Sequence, residues 1–133
     1  MNYWIFVATE YSDFQRGGTN AILSTLIKDK RWSIGYHTGF RKKLKKDDQI
    51  LLYLSGKNNM KFFASGILDS ECVCESKFYS YVSIRNIKIF KKEIFIKPII
   101  KKLKFIKNKK YWGLYMQNGI VKISKRDYNT IIH

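Results

Sequence analysis

With 133 residues, the chain is long enough for one domain with a buried core and too short for two. A composition that is 45% hydrophobic and 16% aromatic removes the need for disulfide staples. The 26 Lys and Arg residues outnumber the 10 Asp and Glu residues, and the resulting formal charge of +16 favours nucleic acid as a partner, with a merely basic surface as the open alternative.

The N-terminus and the cysteines argue against several further classes of protein. The first residues, MNYWIFVATE, have no charged leader and no small-residue cleavage site, so we expect a strand and not a signal peptide. No stretch is apolar over the length of a membrane span, which predicts a cytoplasmic protein without a membrane partner. Cys72 and Cys74 form a Cys-x-Cys pair, for which we expect reduced, structural thiols. With only His37 and His133 as histidines, we predict neither a metal site nor a cofactor.

Runs rich in β-branched and aromatic residues predict the strands. These runs are residues 3–8, 31–36, 50–54, 61–68, 78–96 and 119–124. The connection between the third and fourth runs is tight, which indicates an antiparallel pair. Gly66 predicts a β-bulge or a close backbone approach. The 78–96 run fits one long strand, or two strands that break near Lys91 and Lys92.

Helical patterns occur in three places. Asn20 can cap a helix over residues 21–30, and Ser124 can cap a last helical turn through Asp127. Pro98 predicts the start of a short amphipathic helix. Its inward residues would be Ile99, Ile100, Leu103 and Ile106, and its outward residues Lys101, Lys102, Lys104 and Lys107. Together the elements predict a single α+β domain over residues 1–133, a small mixed barrel with helices at its ends.

The stretch from Arg31 to Gly56 combines aromatic rings, cations and a strand. Trp32 and Tyr36 share a face if the segment is extended, because strand side chains repeat every two residues. A basic run follows, made of Arg41, Lys42, Lys43, Lys45 and Lys46. This combination suits a pocket for a planar, anionic ligand such as a nucleotide within a nucleic acid. The alternative, in which Trp32 only packs in the core, stays open.

Several short motifs resemble the EVE domains, members of a PUA-like group that also includes the YTH domains. The motifs are YWIF at residues 3–6, Trp32, KDDQILLY at 46–53, FASGI at 63–67 and GIVKIS at 119–124. They occur in the family's order and cover most of the chain, although Asp47-Asp48 replaces the usual Gly-Asp. The resemblance implies a pseudo-barrel of about five or six mostly antiparallel strands with two or three short peripheral helices.

The same resemblance implies binding of a modified, methylated base on DNA or RNA in an aromatic pocket. Trp32 falls where the YTH domains place one wall of that pocket. The second wall would come from the region of Phe78, Tyr79 and Tyr81, where this chain has Phe and Tyr in place of Trp.

Polar and basic residues complete the predicted site. Polar candidates that could read the edge of a base are Asn2, Ser33, Tyr36, Ser55 and Asp69. The flanking phosphates need cations, for which we nominate Arg41, Lys42, Lys43, Lys45 and Arg85. The choice between DNA and RNA, the modification, the oligomeric state and a separate effector protein as partner all stay open.

Two other functions compete with the base-binding module. A small metal-independent ribonuclease would use His37 as general base, Lys43 or Arg41 to stabilise charge, and Glu10 or Asp48 to assist. A protein that binds RNA by shape and charge would need no base pocket and would show a steep salt dependence with little effect of Trp32→Ala.

Overall fold

A curled sheet dominates the computed structural model, which describes residues 1–8, 26–34, 39–56, 59–76 and 79–133. Its strands are β1 Tyr3–Ala8, β2 Arg31–Ile34, β3 Gln49–Leu54, β4 Lys61–Leu68, β5 Val73–Ser76, β6 Tyr79–Phe95 and β7 Ile120–Ile123. The helical elements are residues 26–29, three 3₁₀ turns at Arg41–Lys43, Lys97–Lys102 and Trp112–Met116, and the helix α1 at Lys125–Ile132.

The strands follow the order β2-β6-β4-β3-β1-β7, and β5 pairs with β6. β1 runs parallel to β3, whereas the other pairings are antiparallel. This half-barrel with few short helices confirms the predicted α+β, PUA-like class. The described sheet has seven strands, more than the predicted five or six, because the Cys-x-Cys run forms β5.

Apolar residues fill both faces of the central strands. Along β1, Trp4 and Phe6 point to one side, where they join Trp32 in a buried cluster. Ile5 points to the other side and joins a second cluster, which residues 96–116 and α1 cover. We name these sides the Trp32 face and the Ile5 face. A strand buried on both faces explains why β1 and β3 are almost continuously apolar.

The sequence predicted the central strands well. β1 and β4 match the predicted bounds, β3 begins one residue earlier, and the predicted long strand is unbroken over Tyr79–Phe95. At Gly66 a Cβ atom would lie 2.6 Å from Cγ2 of Ile84, and the pairing of β4 with β6 shifts register between Ser65 and Ile67. The close approach and the bulge predicted at Gly66 are therefore both present. Residues 21–25, 35 and 36 lie outside the described part of the chain.

The predicted helices differ from the structure more than the predicted strands do. The Pro98 segment is a 3₁₀ turn that ends at Lys102, so Leu103 and Ile106 are buried beyond it and not within a helix. The turn ends there because the N–H groups of Lys104 and Phe105 donate hydrogen bonds to the carboxylate of Asp127 and not to the preceding turn. Ser124 caps α1 as predicted, accepting a 3.1 Å hydrogen bond from the Asp127 N–H. None of the helices that the structure describes combines the length and apolar content needed to span a bilayer.

Candidate nucleic-acid interface

Asp48 holds the end of the basic run, residues 41–46, in place. Its carboxylate is 2% exposed and accepts three hydrogen bonds, from the Asn2 N–H at 3.0 Å, the Trp4 Nε1–H at 2.9 Å and the Lys45 N–H at 3.1 Å. A buried carboxylate needs such donors, because its desolvation would otherwise be very unfavourable. Asp48 therefore ties β1 and the basic stretch to the start of β3, which is a structural role.

Residues 39–46, which we name the basic turn, cross the Trp32 face. The Phe40 ring lies on Trp4, with 5.6 Å between ring centroids. On the other side, Nη1 of Arg41 lies 3.4 Å from Oγ of Ser80, which it can donate to. Leu44 is 1% exposed and anchors the turn in the core. The basic turn thus connects β1 to β6 and places cations over an aromatic interior.

Phe40 is an exposed aromatic residue that the sequence analysis did not single out. Its side chain is 42% exposed, Nζ of Lys43 lies 5.8 Å from its ring centroid, and its φ angle is 67°. A bulky residue in the left-handed region carries strain of about 1 to 3 kcal/mol, and such strain clusters at functional sites. The sequence signal was an aromatic residue directly before the basic run, although its φ angle could not be predicted from it.

Trp32 lies deeper on the same face. It is 4% exposed and packs between Phe6, at a centroid distance of 6.2 Å, and Phe63, at 6.5 Å. The core packing that the sequence left open as an alternative is therefore real. Its part as a pocket wall stays a prediction.

Tyr81 and Ser33 lie on the opposite side of the sheet from Trp32. They pair with each other across β2 and β6, whereas Trp32 pairs with Val82. The guanidinium of Arg31 sits 4.1 Å from the Tyr81 ring centroid, as expected for a cation–π contact. The described residues thus do not bring Tyr81 and Ser33 together with Trp32 around one base. Three other candidates fall outside the described part: Tyr36, Phe78 and the side chain of Tyr79.

Asn2 and Ser55 stand at opposite ends of the β1–β3 pair. Asn2 precedes β1, where its backbone binds Asp48 and Gln49. Ser55 follows β3, and its Oγ donates to the Ala8 carbonyl at 3.1 Å. Because the strands are parallel, the length of β1, roughly 20 Å, separates the two residues. A single base cannot contact both.

The predicted phosphate-binding cations divide into two groups. Arg85 forms ion pairs with Asp47 and Asp69, and Asp47 raises the pKa of Arg85 chiefly by hydrogen bonding. Nζ of Lys45 lies 3.6 Å from Glu71. By contrast, Lys42 and Lys43 are exposed, and the described residues place no carboxylate within ion-pair distance of either. These two lysines are therefore open to an external anion.

The Cys-x-Cys pair borders the basic turn. Cys72 and Cys74 are free thiols, as predicted, but Cys74 is exposed and does not pack. Oγ of Ser80 donates to its Sγ at 3.4 Å, and Nη1 of Arg41 lies 3.9 Å away. The Ser80 hydrogen bond, followed by the Arg41 charge, lowers the pKa of Cys74, whereas burial raises the pKa of Cys72. Within the described ranges, no three metal-binding side chains gather in one place.

This curled sheet, closed on one face by a basic turn, has the EVE/PUA-like fold that the sequence resemblance predicted. No family model and no curated protein matches the chain in sequence. Solved structures do match it. Human THYN1 protein in complex with 5-methylcytosine containing DNA superposes with a TM-score of 0.69 at 13% identity, over 99% of this chain and 96% of that chain.

Two further structures show the same likeness. The Pseudomonas syringae protein PSPTO5229 has a TM-score of 0.66 at 12% identity, over 98% of this chain and 97% of that chain. The N-terminal domain of Staphylothermus marinus McrB has a TM-score of 0.51 at 9% identity, over 98% of this chain and 92% of that chain. At such identities the likeness shows the fold.

Proposed function

We propose that this protein binds nucleic acid through the basic turn and holds a flipped, methylated base there, with Phe40 as the exposed wall of an aromatic pocket and Trp32 as an inner wall that the base would reach by displacing part of its packing on Phe6 and Phe63. The observation that carries the proposal is the strained, exposed Phe40 beside two cations that have no carboxylate partner among the described residues, Lys42 and Lys43. The likeness to human THYN1, which was solved in complex with 5-methylcytosine containing DNA, supports it.

The energies of the parts are compatible with this role. Extruding a base from its stack costs a few kcal/mol, and an aromatic contact returns roughly 1 to 3 kcal/mol. Two aromatic walls can therefore offset the free energy that is lost when the base leaves its stack. Lys42 and Lys43 would add contacts to the flanking phosphates, with Arg41 and Lys45 at the edges of the same turn.

Binding explains the described geometry better than RNA cleavage does. In the ribonuclease alternative, Asp48 would assist a general base, but its carboxylate is buried and holds three N–H donors. His37 and Glu10, the other members of that alternative, lie outside the described ranges. We therefore propose a binding module and not an enzyme.

The test must avoid damage to the core. Trp32→Ala would truncate a buried side chain and destabilise the fold by about 3 to 5 kcal/mol, so a loss of binding would be ambiguous. Phe40→Ala is the sharper variant, because Phe40 is 42% exposed. Its matched control is Phe95→Ala, since Phe95 is also an exposed phenylalanine, at 50%, and lies at the far end of β6.

The experiment measures equilibrium binding to matched single-stranded oligonucleotides that carry cytosine, 5-methylcytosine, adenine or N6-methyladenine. We expect wild type and Phe95→Ala to prefer one methylated strand. Phe40→Ala should lose that preference with the salt dependence unchanged, because the phosphate contacts remain. Equal binding of wild type to all four strands would refute the base pocket. Retained preference in Phe40→Ala would remove Phe40 from it.

A further inference from the structure

A second basic surface lies far from the basic turn, in residues 97–110. This stretch contains no acidic residue, and all seven of its lysines are exposed. Lys109 binds backbone carbonyls, and we name the other six the lysine surface: Lys97, Lys101, Lys102, Lys104, Lys107 and Lys110. The described residues place no carboxylate within ion-pair distance of any of them. Glu93, the nearest acidic residue before the stretch, already pairs with Lys61 at 2.9 Å. Uncompensated like charges at this density favour a polyanion as partner.

The backbone beneath these lysines is fixed although it is mostly irregular. The buried carboxylate of Asp127, 1% exposed, binds the N–H groups of Lys104 and Phe105 at 2.8 and 2.9 Å. Nζ of Lys109 donates to the carbonyls of Leu103 and Ile106, both at 2.6 Å. The lysine surface is thus pre-organised, which reduces the entropy lost when a ligand binds.

An exposed aromatic ring adjoins the lysines. Tyr111 is 54% exposed, and Nζ of Lys110 lies 5.4 Å from its ring centroid. Cations beside an exposed aromatic ring are the combination that binds single-stranded nucleic acid, because the cations neutralise phosphates and the ring stacks on a base.

The lysine surface is separated from the basic turn by the sheet. Ile100, Leu103 and Ile106 of this stretch pack on the Ile5 face. Phe40 and Trp32 belong to the other face, where Phe40 contacts Trp4 and Trp32 packs with Phe6. One flipped base therefore cannot contact both surfaces, whereas a longer strand that follows the molecular surface can.

We propose that the lysine surface is a second binding site, which takes the phosphodiester backbone of a single strand and stacks one base on Tyr111. The proposal rests on the proposed function only in taking nucleic acid as the partner, and it needs no modified base. An anionic membrane fits less well, because the apolar residues of the stretch, Ile100, Leu103 and Ile106, are turned inward, whereas a membrane-surface segment presents its apolar side outward.

The test compares two triple variants that remove the same charge. Lys101→Gln/Lys104→Gln/Lys107→Gln changes the lysine surface, and Lys28→Gln/Lys30→Gln/Lys88→Gln changes three exposed lysines elsewhere. Affinity for an unmodified single strand of about 20 nucleotides is measured at several salt concentrations. The slope of log affinity against log salt is negative, and each lost phosphate contact makes it shallower by about 0.7. The first triple should therefore flatten the slope by about 2, and the second by much less.

Tyr111→Ala gives a second, independent measurement. It should weaken binding to the single strand several-fold more than binding to the duplex, because paired bases cannot stack on the ring. Equal slopes in the two triples, or equal effects of Tyr111→Ala on single strand and duplex, would overturn the second site. So would binding to vesicles with 30% phosphatidylserine that the first triple abolishes while its oligonucleotide slope is unchanged. Failure of the base pocket would appear instead as equal binding of methylated and plain strands by wild type. None of the variants on the lysine surface should change the preference for a methylated strand.

Discussion

The basic turn and the lysine surface are both held in place by a buried aspartate, but they present different chemistry. Asp48 binds the Lys45 N–H in the basic turn, and Asp127 binds the N–H groups of Lys104 and Phe105 beneath the lysine surface. In the basic turn, Phe40 covers an aromatic interior. On the lysine surface, an apolar layer is buried and the cations point outward.

Under the two proposals, one fold separates the recognition of a base from the attraction of a phosphate backbone. A strained aromatic residue over an interior suits the reading of one base, whereas a fixed row of lysines suits any phosphate backbone. If the two surfaces bind as proposed, damage to the Asp48 anchor should remove the preference for a methylated base. Damage to the Asp127 anchor should reduce only the affinity for nucleic acid and its salt dependence.

Asp48→Ala should have the largest effect. It leaves the Trp4 indole N–H buried without its acceptor and frees two backbone N–H groups, so the free energy of unfolding should fall by about 3 to 5 kcal/mol. Urea unfolding measures this loss. The control is Asp69→Ala, which removes an exposed ion pair with Arg85 and should cost less than about 1 kcal/mol. Similar losses in the two variants would deny Asp48 its role as an anchor.

Asp127→Ala should rank second, at about 2 kcal/mol, because the freed N–H groups of Lys104 and Phe105 are only partly buried and can bind water. The control Ser124→Ala removes only the helix cap and should cost about 1 kcal/mol. Binding assays on folded Asp127→Ala should show a smaller salt slope and an unchanged methyl preference. An altered preference would mean that the two surfaces are coupled.

Phe40→Asn should change stability by less than about 1 kcal/mol, because relief of the left-handed strain offsets the lost contact with Trp4. Affinity for the preferred strand should nevertheless fall by roughly tenfold, the loss expected for one stacked base. Phe40→Val is the comparison variant, since it loses the ring but keeps the strain. We expect it to be less stable than Phe40→Asn by about 1 kcal/mol in thermal unfolding, and equal stability would argue against strain at this position.

The smallest expected effect is a change in the rate at which Cys74 is alkylated. This rate can show whether a ligand covers the basic turn. Because Ser80 and Arg41 lower its pKa, more thiolate is present at neutral pH, and the rate should reach half its maximum at a lower pH than for Cys72. Ser80→Ala should shift that midpoint upward. A bound oligonucleotide should slow alkylation of Cys74, which neighbours Arg41, and unchanged rates at saturation would place the strand elsewhere.

Local patterns were sufficient to predict much of the framework. β1, β4, the bulge at Gly66 and the Ser124 cap each depend on residues that are close in sequence, because strand alternation and capping are short-range effects. The EVE/PUA-like class followed from motifs spread over the chain. The identity of the lysines on the basic turn was also visible in the sequence.

Contacts between distant segments decided the site itself. Asp48 meets Asn2 and Trp4 across more than forty residues, and no local pattern in the sequence pairs it with either. The face of Tyr81 depends on the pairing register of β2 with β6, and a shift by one residue would reverse it. Phe40, with its left-handed backbone, and Arg41 begin the basic turn, and they contact Trp4 and Ser80, which are far from them in sequence. The strands and the charge therefore follow from local sequence patterns. Which rings and cations lie together follows from the folded chain, because hydrogen bonds and strand register act between residues that are far apart in sequence.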